Sequence, residues 1–322
     1  MRKTRVGVLR GGPSSEYDIS LATGKSVLDN LLDEKYVPID IVVHNNGSWH
    51  VGGIEQKPEQ VFAKIDILWN ALHGNFGEDG KLQRYLDMHG IPYTGSGALA
   101  SALGMHKHLA KDLFIKHGIK TPVSTLIRPE EDMLLRARDV WRTFPHPSVV
   151  KPASAGSSMG ISVINTYDAL VDAILQARLF SDVIMIEEYI EGREATCGVI
   201  NNFRGQSTYA LPPVEVILPK EKTFYDFDAK YVNFCRDICP GRFSNAEKHE
   251  LQETAKIAHD LLALRHYSRA DFIVSPKRGI YLLEINTLPS LTKKSLMLHA
   301  LEAVGMSPQQ FLEHIIALAA TV

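Results

Sequence analysis

An α/β chain of two or three domains is the fold class this sequence predicts, and three observations predict it. The chain has 322 residues and 45% hydrophobic content, enough for a large core and more than one small domain usually holds. It opens with strand, glycine turn, helix and strand in succession, the signature of a βαβ unit with a parallel sheet. Two further groups of strands and helices follow, the last containing a long helix with its own start signal.

Taken in order, residues 5–9 are β-rich, 11–15 punctuate with glycine and serine, and 19–32 carry Ile19, Ala22, Val27, Leu28 and Leu31 at helical spacing. A second strand is expected over 39–43, a buried strand over 65–72 and a short helix near 81–88, closing a first domain at 1–104. A helix over 105–117 and strands at 124–127 and 148–151 bracket another helix. A small-residue loop at 153–158, a helix at 167–180 and a strand at 183–188 complete a central domain, 105–193. The remainder, 194–322, holds strands near 195–200, 214–218, 270–274 and 280–285. Its helix over 245–264 begins at Ser244 and Glu247, a capping-box pair. Between 220 and 243 lies a polar and aromatic stretch with neither period, longer than ordinary connections and read as a lid. No internal repeat or low-complexity tract interrupts this order.

Charge and composition exclude several classes. Lys plus Arg number 35 against 37 Asp plus Glu, a formal charge of -2, so no net positive field attracts nucleic acid or anionic lipid. Any phosphate recognition must be local. Cys197, Cys235 and Cys239 are the three cysteines, and they lack the paired spacing of a zinc site, which fits a reduced cytoplasmic setting. The apolar run after Arg5 ends at the Arg10-Gly11-Gly12 turn, short of a signal core, and no run approaches the roughly 18 apolar residues a spanning helix needs.

Chemistry concentrates on two adjacent strands. Arg269 and Asp271 sit two apart on one, Glu284 and Asn286 two apart on the next, so each pair shares a face. Two carboxylates and an amide oxygen make a hard-oxygen set suited to Mg²⁺; a surface salt-bridge patch is the alternative. Flanking Phe272, Ile273, Tyr281, Leu282 and Ile285 favour buried strands, where carboxylates need partners. Lys151 begins a loop of small residues whose amides can surround phosphate oxygens, although taken in isolation a plain turn is the better reading and the P-loop spacing is absent. His73 follows a buried strand, at a place where ligand sites commonly form but where a histidine can also serve the core. Glu187 and Glu188 end an apolar strand and suit either solvated charge or hydrogen bonds to a ribose or an adenine amine.

In order along the chain, GGPSSEYDIS, HGNFGEDG, YTGSGALASALGMHK, VVKPASAGSSMGI, EEYIEGREAT, FYDFDAKY, RADF and LEINTLPSLTKKSL resemble the D-alanine–D-alanine ligase family of ATP-grasp enzymes, from about residue 5 to 296. The resemblance implies a three-domain ATP-grasp architecture, α/β with an α+β character in the ATP-grasp part. It implies ATP-dependent joining of two D-alanine molecules through a D-alanyl phosphate, supplying a cell-wall precursor. Lys107 and Lys151 would contact ATP phosphates, and Glu187, Glu188, Ile190 and Glu194 would hold adenine and ribose. Asp271, Glu284 and Asn286 would bind two Mg²⁺, with Mn²⁺ able to substitute. Glu16 would take the ammonium of the first D-alanine and join Ser157 and Tyr231 in closing the site. His73 would lie nearby, Arg269 would face the developing oxyanion, Lys230 would come down with the lid, and Ser295 and Leu296 would receive the second carboxylate. The family also implies a homodimer.

Two departures stand out: Ser290, where the family usually has a glycine whose amide helps bind the oxyanion, and Lys293-Lys294 just before Ser295. If position 290 needs a left-handed backbone, serine costs about 1 kcal/mol there. Competing readings are a relative that joins D-alanine to D-lactate or D-serine, which the tyrosine at 231 disfavours for D-lactate, and a nucleotide-binding module without turnover.

Overall fold

The computed structural model describes residues 2–32, 34–154, 156, 159–217 and 236–321. Its first sheet is built around β1 (Thr4–Gly11), whose Val6, Val8 and Leu9 are fully buried. After α1 (Tyr17–Asn30) the chain returns as β2 (Tyr36–Val43), parallel to β1 in the register Thr4 to Tyr36 through Gly11 to Val43. The antiparallel strands β3 (Trp49–Val51) and β4 (Ile54–Gln56) extend this edge, and α2 (Pro58–Phe62) leads to β5 (Ile67–Asn70) on the other side of β1. The loops after β1 and β5 therefore leave the same edge of a parallel sheet, where ligand sites form. Gly11 makes the first turn possible: its φ is +90°, and a Cβ there would overlap the Val43 carbonyl.

Two helices, α3 (Lys81–Met88) and α4 (Ala98–Met105), carry the chain to α5 (Lys107–Lys116), with His106 marking the break between α4 and α5. A second sheet follows, wholly antiparallel, in the order β6 (Ser124–Ile127), β9 (Ile184–Glu188), β7 (Ser148–Pro152), β8 (Ser162–Ile164). The helices α6 (Met133–Thr143) and α7 (Tyr167–Ala177) bury Ala137, Val140, Leu170 and Ile174 against its Ile127, Val150 and Ile186. Asp132 caps α6 and Thr166 caps α7, each accepting a backbone N–H three residues on.

In the third sheet β10 (Arg193–Phe203) is flanked by β12 (Val214–Ile217) and β14 (Tyr267–Ser275), with β13 (Arg236–Ile238) beyond β12 and β15 (Gly279–Asn286) beyond β14. β11 (Gln206–Ala210) pairs with the far end of β10. The helix α8 (Asn245–Leu261) packs on this sheet and starts at the capping box of Ser244 and Glu247, as the sequence indicates. Two closing helices, α9 (Leu296–Ala303) and α10 (Pro308–Ala319), have no counterpart in the sequence reading. They tie the first and third sheets into one core: Val8 and Trp69 belong to the same apolar cluster as Phe311 and Ile315 of α10, Tyr267 of the third sheet and Leu211 of the β11–β12 connection. Trp69 and Tyr267 stack at 6.4 Å between ring centres.

Element boundaries differ from expectation mainly in length. The strand expected over 65–72 is ordered as strand only at Ile67–Asn70. The aperiodic stretch at 220–243 ends in a strand, β13, paired with β12, while 218–235 lie outside the described residues. No helix among the described residues is long and apolar enough to cross a membrane.

Candidate active site

The β14–β15 hairpin sets the chemistry. Its register places Arg269 opposite Asn286 and Asp271 opposite Glu284, with a bulge immediately after Asp271. All four expected residues therefore meet on one face. Arg269 Nε and one terminal nitrogen donate to the two Asp271 oxygens, each at 2.8 Å. Thr196 Oγ1 donates to Asp271 Oδ1 at 2.8 Å, and Asn286 Nδ2 to Oδ2 at 2.9 Å. Lys107, at the start of α5, lies 3.3 Å from Glu284. A salt bridge is thus present, but within a half-buried cluster rather than on an open surface. The oxygen donors of Asp271, Glu284 and Asn286 fit a hard divalent cation.

Asp271 and Glu284 also line a cleft of about 460 Å³ between the second and third sheets, within the size range of small-molecule sites. Its walls are largely apolar, with Val149, Ile190, Phe272, Ile273 and Leu283, and its polar groups include Lys151, Glu187, Glu188 and Glu194. Glu187 is 2% exposed and bridges two lysines: Lys111 Nζ donates to one oxygen, and Lys151 Nζ lies 2.6 Å from the other. Burial alone would raise its carboxyl, yet the two ammonium groups bring it below the ordinary range. Lys111 also donates to the Pro122 carbonyl at 2.8 Å. Of the two lysines, Lys151 is the one that lines the cleft, where its ammonium can meet a phosphate oxygen. Glu188 is committed to the backbone N–H of Val123 at 3.0 Å and to Arg278 at 2.8 Å. The solvated-charge reading of this pair does not hold.

Around the corner of the hairpin, Arg269 and Asn286 line a second cleft of about 350 Å³ with Glu16, His73, Glu78, Gly156 and the segment from Leu288 to Leu296. Glu16 precedes α1 and His73 follows β5, so both come from the ligand-bearing edge of the parallel sheet. Ligand atoms of Glu16, His73 and Glu78 lie within 4.8 Å of one another, a group that can hold a small cation such as an ammonium. Burial, aided by the Glu16 charge, pushes Glu78 up to about 8, while Gly74 N–H donates to it at 2.6 Å. Burial draws His73 down to about 4, so its imidazole is neutral. Gly156 covers Glu16 closely enough that a Cβ would overlap Oε1. Lys107, Glu78, Glu284 and Asn286 surround a small gap between the clefts, and Leu296 borders both clefts.

Of the remaining expected residues, Ser295 caps α9 by accepting the Leu298 N–H at 3.3 Å and faces the smaller cleft beside Lys293 and Lys294. Ser290 lines the same cleft, and it is not among the residues with left-handed backbone, so the strain expected of a serine there is absent. Ser157, Lys230 and Tyr231 lie outside the described residues. The sequence reading did not single out Glu78 or Lys111. Glu78 lies within HGNFGEDG, and Lys111 interrupts the buried stripe Ala110–Phe114 of α5, one helical turn after Lys107. A lysine on a buried helical stripe is the signal that could have found it.

A family model described as D-ala D-ala ligase C-terminus matches residues 113–317, and one described as D-ala D-ala ligase N-terminus matches 5–61 and 53–96. A D-alanine–D-alanine ligase of Desulfotalea psychrophila is 37% identical over 319 residues, covering 98% of this chain and 95% of that protein. Among solved structures, D-alanyl-alanine synthetase A of Vibrio cholerae superposes with a TM-score of 0.86 at 27% identity, covering 100% of both chains. A D-Ala:D-Ser ligase of Enterococcus faecalis superposes with a TM-score of 0.85 at 26% identity, covering 99% of this chain and 100% of that one.

Proposed function

The chain belongs to the D-alanine–D-alanine ligase family, and from that premise we propose that it uses ATP to join two D-alanine molecules into D-alanyl-D-alanine. The observation that carries this reading is the division of one hairpin face between two clefts: Asp271 and Glu284 border the larger, Arg269 and Asn286 the smaller. A phosphoryl donor in the first and a carboxylate in the second would meet at those four side chains.

In this reading the larger cleft takes ATP. Ile190 and the apolar wall would receive adenine, Glu194 the ribose region, with Glu188 reaching it only by sharing an oxygen already bonded to Val123 or Arg278, and Lys151 and Lys107 the phosphates. Glu187 would act chiefly by holding Lys151. Asp271, Glu284 and Asn286 would hold two Mg²⁺, or Mn²⁺, with Asn286 turning its amide oxygen toward the ion. When bound, such ions neutralise charge on the phosphates and polarise the transferred group.

The first D-alanine would place its ammonium at Glu16, beside His73 and Glu78. Its carboxylate oxygen attacks the terminal phosphorus, the bond to ADP breaks, and an acyl phosphate forms. The second D-alanine, its carboxylate held at Ser295 and Leu296, attacks the acyl carbon through its amine. The tetrahedral oxyanion that results is faced by Arg269 and the Ser290 amide, phosphate leaves, and the amine proton is released. Ser157, Lys230 and Tyr231 enter this proposal by resemblance, as groups that close the site against water. Three domains at 1–104, 105–193 and 194–322, a homodimer and a cytoplasmic location belong to the same proposal.

The test is phosphate release with ATP and Mg²⁺, comparing D-alanine, L-alanine, D-alanine plus D-serine and D-alanine plus D-lactate, with products weighed by mass spectrometry. D-Alanine-dependent phosphate and a D-alanyl-D-alanine product are expected. A chain that binds ATP but releases no phosphate with any D-amino acid would sink the reading. Preferential D-alanyl-D-serine or D-alanyl-D-lactate would correct its acceptor.

A further inference from the structure

Ser290 departs from the resembled pattern, and its hydroxyl does more than fill space. Its Oγ lies 3.2 Å from Thr23 Oγ1, which in turn lies 2.9 Å from His73 Nε2. Thr23 comes from α1, His73 from the loop after β5 and Ser290 from the loop after β15, so three separate parts of the fold converge on this chain of hydrogen bonds. Thr23 is 2% exposed and does not border the smaller cleft, whereas Ser290 does.

The polarity of the chain follows from its buried end. The neutral His73 ring has the Leu288 carbonyl as a neighbour able to take its one proton, which leaves Nε2 as an acceptor toward Thr23. Thr23 must then give its hydroxyl proton to Nε2 and accept one from Ser290. With its proton given to Thr23, Ser290 accepts the Thr292 N–H at 3.4 Å, lies 3.5 Å from the Thr292 hydroxyl, and borders the smaller cleft with its remaining lone pair available.

We infer that the Ser290 hydroxyl, oriented by Thr23 and His73, is a specificity-determining group for the second substrate that accepts a hydrogen bond from its attacking amine. A glycine at 290 supplies only its backbone amide, a donor. A serine adds an acceptor beside it, which favours a nucleophile bearing several N–H bonds over one with a single hydroxyl. This inference rests on the ligase reading proposed above and adds the group that orients the nucleophile. Thr23 is a positioning residue in it, acting only through Ser290.

The experiment compares wild type, Ser290→Ala, Ser290→Gly, Thr23→Val, Thr23→Ser and the Ser290→Ala/Thr23→Val double variant. It follows phosphate release with saturating ATP and varied D-alanine, and the ratio of D-alanyl-D-alanine to D-alanyl-D-lactate from mixed acceptors. Ser290→Ala and Ser290→Gly should raise the KM for the second D-alanine by about 3- to 10-fold, with kcat changed by less than about 3-fold, the loss of one hydrogen bond between neutral groups. Both should shift the product ratio toward D-alanyl-D-lactate. Thr23→Val should reproduce the effect, Thr23→Ser should restore the wild-type value, and the double variant should be no worse than either single one, since one chain of contacts is broken once. An unchanged second KM and product ratio in Ser290→Ala would overturn the inference, as would effects of Thr23→Val and Ser290→Ala that multiply. If Thr23→Val fails to fold, the two Ser290 variants and Thr23→Ser still decide. A wild type without D-alanine-dependent turnover would instead overturn the functional reading itself, an outcome visible before any variant is made.

Discussion

Asp271 stands directly opposite Glu284 across the β14–β15 ladder, and Arg269 grips Asp271 through two bonds of 2.8 Å. One carboxylate is therefore already neutralised by a neighbour on its own strand, while the other answers to Lys107 from α5. Removing Glu284 takes away an oxygen donor without opening the apolar core. Glu284→Ala should lower kcat at least about 100-fold, a loss of several kcal/mol of charge stabilisation, while the melting temperature stays close to wild type. Phosphate release alongside a thermal melt checks this; a near wild-type rate would remove the metal assignment.

Lys111 is the second target. Replacing it with methionine leaves Glu187 buried with Lys151 alone, and breaking such a pair costs about 3 kcal/mol. Lys111→Met should unfold at lower denaturant and show a raised KM for ATP, because Glu187 then draws Lys151 toward itself. Urea titration and ATP-dependent kinetics read the two effects. A variant as stable as wild type would mean that Lys111 does not support the carboxylate.

Glu78 gives the chain a pH signature. Its carboxyl is raised from 4.5 to about 8 by burial and by Glu16, so the folded state holds the proton more tightly than the unfolded chain does. That contribution to stability is complete below about 4.5 and disappears as pH rises through about 8. Between pH 6 and 9, without D-alanine, wild type should lose melting temperature faster than Glu78→Gln. Parallel curves for the two proteins would contradict this.

Gly156→Ala tests the cover over Glu16. The glycine does not use left-handed backbone, so alanine strains nothing locally, but its methyl would overlap Glu16 Oε1. Displacing that carboxylate should reduce kcat/KM for the first D-alanine about 10-fold or more, the scale of one lost charge-assisted hydrogen bond, with little change in the KM for ATP. Equal losses for both substrates would point to a disturbed loop instead.

Much of this arrangement was readable from spacing. Residues two apart on adjacent strands announced the Arg269, Asp271, Glu284 and Asn286 face, because a strand's alternation needs no tertiary information. The capping box of Ser244 and Glu247 was equally local. What spacing could not supply was partnership across distance: that Glu187 would be shared by Lys111 and Lys151, that Glu188 would be spent on Arg278, or that Glu78 would crowd Glu16. These depend on how three sheets converge, and a single sequence carries no register between them. The strands β3, β4 and β11 escaped notice because runs of three to five residues hold too few alternations to stand out.

Ser290, Lys293, Lys294 and Ser295, which the proposed function assigns to the acceptor, all hang on the loop between β15 and α9, whereas Asp271 and Glu284 are locked into a backbone ladder. On the proposed roles, a sequence change in that loop would alter which nucleophile is welcomed without moving the two carboxylates. In that reading side-chain changes on the loop can vary the product while the Ser290 backbone amide and the ladder carboxylates stay in place.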